Sequence, residues 1–100
     1  MLLTDAKAAL VSVLGQIQKR SGLACPPLND SSIPPNVLPK FDSTVWPVAI
    51  TLIARKLNVD IPKAVHIFGG ENGAPLLTIA ESAALICKKA LPKQPIKQAA

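Results

Sequence analysis

Phe41-Asp42-Ser43-Thr44-Val45-Trp46-Pro47-Val48-Ala49-Ile50-Thr51-Leu52-Ile53-Ala54-Arg55-Lys56-Leu57-Asn58-Val59-Asp60-Ile61-Pro62 is the stretch on which the fold turns. It opens with a polar turn and continues as an apolar helix. Ile50, Ile53, Ala54 and Leu57 recur at i, i+3, i+4 and i+7, and Val45, Trp46 and Ala49 extend the stripe. Arg55 and Lys56 sit near the C-terminal end, where positive charge suits the helix dipole. Pro47 has no N–H to donate and is comfortable only in a first turn. Regular helix is therefore expected to begin at Thr44 or Val45, with Ser43 on its rim. Asp60-Ile61-Pro62 closes the element.

On the N-terminal side, Leu10, Val13, Leu14 and Ile17 recur at helical spacing. Thr4 is the expected N-cap, Asp5 suits the first turn, and Gly22 follows Lys19 and Arg20 as a left-handed stop. A helix over residues 5–20 follows. Pro26, Pro27, Pro34, Pro35 and Pro39 then exclude a long regular element. Leu28, Ile33, Val37 and Leu38 are spaced along this segment, so it is expected to lie across the core as an ordered crossover with a short turn near Asn36. On the C-terminal side, residues 63–68 carry Val65, Ile67 and Phe68 and fit one or two helical turns or a short extended piece. Gly69-Gly70-Glu71-Asn72-Gly73 is a turn. It lacks the Lys-Ser/Thr of a phosphate loop, so it is no nucleotide site. Thr78-Ile79-Ala80-Glu81 has the spacing of a capping box. The helix it opens runs over residues 79–90, with Ile79, Ala83, Ile86, Cys87 and Ala90 on one face, and Pro92 stops it.

The composition agrees with this reading. With 49% apolar and 17% charged residues, the chain can build a globular core rather than stay disordered. Aromatics are scarce, so that core is aliphatic and favours helices. The fold class is all-α, a small bundle of three longer helices and one short one. Residues 1–92 form a single helical domain and 93–100 a disordered basic tail. Cys25 and Cys87 have no metal spacing and are expected as free thiols, although one disulfide between them stays open. His66 is the only histidine, so no histidine pair can form. The chain begins without a secretion-signal pattern and has no run long enough to span a membrane, which points to the cytoplasm. A net charge of +5 permits an acidic partner. The basic residues are dispersed or terminal and not interleaved with aromatics, which ranks nucleic acid last among partners.

Several pieces together resemble the acyl and peptidyl carrier proteins. Phe41-Asp42-Ser43 is similar to the turn in which an Asp precedes the serine that receives phosphopantetheine. The segment from Ser43 through Leu57-Asn58-Val59-Asp60-Ile61-Pro62 resembles the family's second helix and its closing Ile-Pro. Asp30-Ser31-Ser32-Ile33 is similar to the loop leading to that serine, and Thr78-Ile79-Ala80-Glu81-Ser82-Ala83 to the start of the last helix. The resemblance covers roughly residues 4–90. It departs at Lys40, where the family usually has Gly, and at Thr44, where it usually has Leu. No acid stands between Ser43 and Asn58, where carrier proteins usually have several for docking.

The resemblance implies a carrier-protein-like fold and a protein that is not itself an enzyme. Phosphopantetheine would be attached at Ser43, with Asp42 orienting the serine or helping to hold a metal during transfer. Its partners would be a phosphopantetheinyl transferase and acyl-processing enzymes, and its cargo an acyl or aminoacyl thioester. The basic second helix implies partners with acidic or apolar docking surfaces. Without modification, the same fold would bind another protein through the helix after Ser43, with Thr44, Trp46, Val48 and Arg55 as contacts. Each residue also has a plainer role. Ser43 and Asp42 could be simple caps, Trp46 a core residue, and Arg55 part of a solvated face.

Overall fold

The structure is a computed structural model and describes residues 2–62, 65–70 and 73–92. It is mostly helical: α1 is Leu3–Arg20, α2 Pro34–Val37, α3 Trp46–Leu57 and α4 Ile79–Lys89. A two-stranded antiparallel sheet accompanies the helices. β1 (Val59–Asp60) pairs with β2 (Leu91–Pro92), Val59 opposite Pro92 and Asp60 opposite Leu91. The fold is thus mostly helical, as expected, and this small sheet is an addition the sequence did not indicate. Two-residue strands are too short to show a period of two, and Pro92 fits only because an edge strand tolerates a missing N–H.

Helix α1 buries Ala6, Ala9, Leu10, Val13, Leu14 and Ile17, and both α3 and α4 lie against it. Burying a side chain such as Leu10 or Leu14 contributes about 1.5–3 kcal/mol. The helix starts earlier than the expected Thr4 cap. Leu2 is the N-cap, and its carbonyl accepts the N–H groups of Asp5 and Ala6 at 3.1 and 3.2 Å. No breaker precedes Thr4, so backbone bonding simply continues past it. At the other end Gly22 adopts φ +69°, and the Leu23 N–H reaches back 2.8 Å to the Gln18 carbonyl.

Helices α3 and α4 share both ends. The Trp46 ring at the start of α3 lies 5.7 Å from Phe68. Just before α4, the Leu77 N–H donates to the Phe68 carbonyl at 2.9 Å. Both helices therefore begin beside Phe68 and finish at the β1–β2 pair. Asn58 ends α3 in the left-handed conformation, φ +55°. The capping box of α4 forms as its spacing predicts: Thr78 accepts from the Glu81 N–H at 3.1 Å, and Glu81 accepts from the Thr78 N–H at 2.9 Å.

The proline-rich crossover is tied down at several points. Gln18, buried on α1, donates from Nε2 to the carbonyls of Ala24 (3.2 Å) and Pro39 (3.0 Å), holding both ends of the crossover. The carbonyls of Ser32 and Asp30 accept the Ile79 and Ala80 N–H groups at 2.8 and 3.2 Å, so the loop also satisfies the first turn of α4. Leu38 is buried and Leu28 packs on the core, while Val37 is exposed, contrary to expectation. The single turn of α2 gives the buried side to Pro34 and Leu38, four residues apart. The short helix of the fold thus lies in the crossover, where only a turn near Asn36 was expected, and not over residues 63–68, whose described part, 65–68, holds no helix. Ile67 and Phe68 form a turn that enters the Gly69–Leu76 bridge. Lys63, Ala64, Glu71, Asn72 and the expected tail at 93–100 lie outside the described residues.

Candidate functional site

The site is the turn that leads into α3. Lys40 has φ +56°, in the left-handed region, which aims the chain inward so that Phe41 is buried. Asp42, Ser43 and Thr44 return to the surface. The Asp42 carbonyl accepts the Val45 N–H at 3.0 Å and closes the turn. Helix begins at Trp46 with Val45 as N-cap, later than the expected Thr44 or Val45. The shift places Pro47 at the second helical position, where its missing N–H leaves no bond unmade.

Each polar residue of the turn has a distinct place. Asp42 Oδ1 accepts the Thr44 N–H at 3.1 Å and also the Thr44 hydroxyl. The hydroxyl, then the backbone N–H, stabilises the carboxylate and lowers the Asp42 pKa below the ordinary aspartate value. Ser43 is exposed, and no described residue hydrogen-bonds to it. Neither Asp42 nor Ser43 caps α3, whose N-cap Val45 carries no side-chain bond.

Beneath the turn all three aromatic residues of the chain meet. Phe41 stands edge-on to Phe68, with centroids 5.2 Å apart and planes at 84°, and Trp46 tilts onto Phe68 at 47°. Trp46 is half-buried, and its indole nitrogen is sealed from solvent without a partner among the described residues. Of the four candidate contact residues, Thr44 is exposed but engaged by Asp42, and Trp46 is turned inward. Val48, 54% exposed, and Arg55 line one shallow groove along α3 with Pro47, Thr51 and Leu52. The structure thus joins Val48 with Arg55 and separates both from Trp46. A second groove, of about 510 Å3, lies between α3 and the segment after it; Pro47, Ile50, Ala54, Val59, Ile61, Pro62 and Val65 form its mainly apolar walls, and Thr51, Arg55 and Asp60 add polar and charged groups.

Elsewhere the chemistry is sparse. Cys25 and Cys87 are free, the first exposed and the second half-buried, and His66 is exposed. Among the described residues, no three of His, Cys, Asp and Glu come together as metal ligands. No described helix is long and apolar enough to cross a membrane. No protein-family model, no curated protein and no solved structure matches the chain.

Two outcomes follow from the turn. An NMR titration of the Asp42 carboxyl should give a midpoint below the ordinary aspartate value of about 3.9. Thr44→Val should raise that midpoint, because the larger of the two causes is lost. A depressed folded pKa contributes stability above the unfolded pKa, and that contribution disappears as pH falls through the folded one. The turn should therefore loosen only in acid, and an unshifted midpoint in wild type would contradict the bonding described. The second outcome concerns Lys40. A side chain at φ +56° is strained by about 1 kcal/mol. Lys40→Gly should raise the midpoint of urea unfolding by a corresponding amount, less the added freedom of glycine in the unfolded chain. A fall in that midpoint would argue against the left-handed geometry.

Proposed function

We propose that this protein is a carrier domain. Its Ser43 hydroxyl accepts a phosphopantetheine arm, and partner enzymes in the cytoplasm act on the acyl group the arm holds. The observation that carries the reading is the freedom of Ser43. A serine just ahead of a helix ordinarily caps it; here Val45 is the cap, Asp42 and Thr44 bond to each other, and the serine is left exposed with no hydrogen bond to any described residue. Among the described residues, no hydrogen bond has to break for its hydroxyl to enter a transferase. The first turn of α3 lies immediately beyond, where the positive end of the helix dipole favours the negative charge of a phosphodiester. These features fit the group.

When bound, phosphopantetheine supplies a terminal thiol that carries an acyl group as a thioester. The chain's own residues hold and present the attachment point. Asp42 and Thr44 fix the turn, Phe41 anchors it in the core, and the helical fold keeps α3 in place behind it. The roughly 510 Å3 groove begins at Pro47, close to the attachment point, and its walls are mainly apolar. That favours an acyl cargo over a polar aminoacyl one. A carrier-protein-like arrangement of three longer helices is the finer form of the fold that this reading assumes.

Expression of the full chain together with a broad-specificity phosphopantetheinyl transferase tests the reading. Proteolytic mapping should place the added phosphopantetheine on the peptide containing Ser43. An added group elsewhere would show that the turn is not the attachment point. An unmodified protein–protein domain of the same shape is the second reading. It is favoured by the exposed pair Val48 and Arg55 on α3, and it predicts partner binding that survives Ser43→Ala.

A further inference from the structure

Helices α3 and α4 both end in basic turns, Arg55 and Lys56 in the first and Lys88 and Lys89 in the second. Taken singly, each pair is the ordinary complement of a helix dipole. The β1–β2 pairing changes this by joining the two helix ends, with Val59 opposite Pro92 and Asp60 opposite Leu91. All four cationic side chains are exposed, and none takes part in an ion pair; among the described residues that interaction is confined to Lys7 and Asp30. Each helix C-terminus contributes about half a negative charge, and Asp60 contributes one carboxylate. Against four cations this leaves roughly two positive charges in excess at one end of the molecule. Within that field Leu91 is 53% exposed.

We propose that this end is a docking surface for an acidic protein segment, with Arg55, Lys56, Lys88 and Lys89 facing its carboxylates and Leu91 meeting an apolar side chain. Charge complementarity selects an anionic partner. The exposed leucine selects a protein over a nucleic acid, whose phosphates would leave it unmatched. The aromatics that could stack on bases, Phe41, Trp46 and Phe68, all lie at the opposite end of α3. That helix is about 18 Å long, so a partner seated on the sheet leaves Ser43 uncovered. The surface needs no modification of Ser43 and stands or falls separately from the carrier reading.

Fluorescence anisotropy of a labelled peptide of alternating Glu and Leu, titrated with the full-length protein, provides the test. Lys56→Glu combined with Lys88→Glu should weaken binding at least about tenfold. Lys19→Glu with Arg20→Glu makes the same change in net charge at the end of α1 and should alter binding less than about threefold. Leu91→Ser should weaken it several-fold, and Ser43→Ala should leave it unchanged. Circular dichroism establishes that each variant is folded. Equal losses in the two charge-reversed proteins would overturn the proposal, since net charge alone would then explain binding. Tighter binding of a single-stranded oligonucleotide of similar length through the same four cations would also overturn it.

Discussion

Phe68→Ala should destabilise the protein by about 3–5 kcal/mol, the range for truncating a large buried aromatic side chain. Phe68 is 1% exposed and is the largest fully buried side chain described. It is also the ring on which both other aromatics rest, Phe41 at 5.2 Å and Trp46 at 5.7 Å. Its backbone belongs to the same junction, because its carbonyl accepts the Leu77 N–H that leads into α4. Truncation would therefore open a cavity where α3 and α4 both begin, directly under the Ser43 turn. Domains of this size are stable by only about 5–15 kcal/mol, so much of the total would go. Urea unfolding followed by circular dichroism measures the effect. A loss below about 1 kcal/mol would mean that Phe68 does not occupy the centre of this junction.

Gly69→Ala should cost about 3 kcal/mol or more, through two separate effects. Gly69 has φ +79°, which any residue with a Cβ adopts at a penalty of about 1–2 kcal/mol. A Cβ there would also overlap the Pro75 carbonyl oxygen and stand 3.0 Å from the Leu77 nitrogen. Those are backbone atoms of the segment that bridges Gly69 to Leu76, so they cannot swing aside as a side-chain tip would. Gly73 separates the two effects: its φ is +81°, but a Cβ added to it meets no atom of the described residues within 4 Å. Gly73→Ala should thus show only the conformational penalty of about 1–2 kcal/mol. Equal losses at the two glycines would contradict the close packing at Gly69.

Much of the helical architecture can be seen in the chain because helices advertise themselves over many residues. The stripe Leu10, Val13, Leu14, Ile17 locates α1, and Thr78 with Glu81 locates the start of α4 to the residue. Features made by a few residues at long range leave no such trace. The β1–β2 pair joins two dipeptides far apart in sequence, and Gln18 looks like any exposed helical glutamine until Ala24 and Pro39 surround it. The exact start of α3 depended on Pro47. Its absent N–H limits it to the first turn, but periodicity alone does not say which position in that turn it takes. At the site, the Asp42-Ser43 pair could be seen in the sequence. That Asp42 would be held by Thr44 and Ser43 left free could not, because cap and turn serines look alike until the neighbouring bonds are known. The left-handed backbone of Lys40 left no local trace, because lysine is not a residue that favours that region.

The most direct test of the central claim is the intact mass of the purified protein after incubation with coenzyme A and a phosphopantetheinyl transferase, with Ser43→Ala treated alongside. The account predicts a gain of one phosphopantetheine in the wild-type protein and no gain in the variant. An unchanged mass in wild-type protein that circular dichroism shows to be folded, or an equal gain in Ser43→Ala, would contradict it.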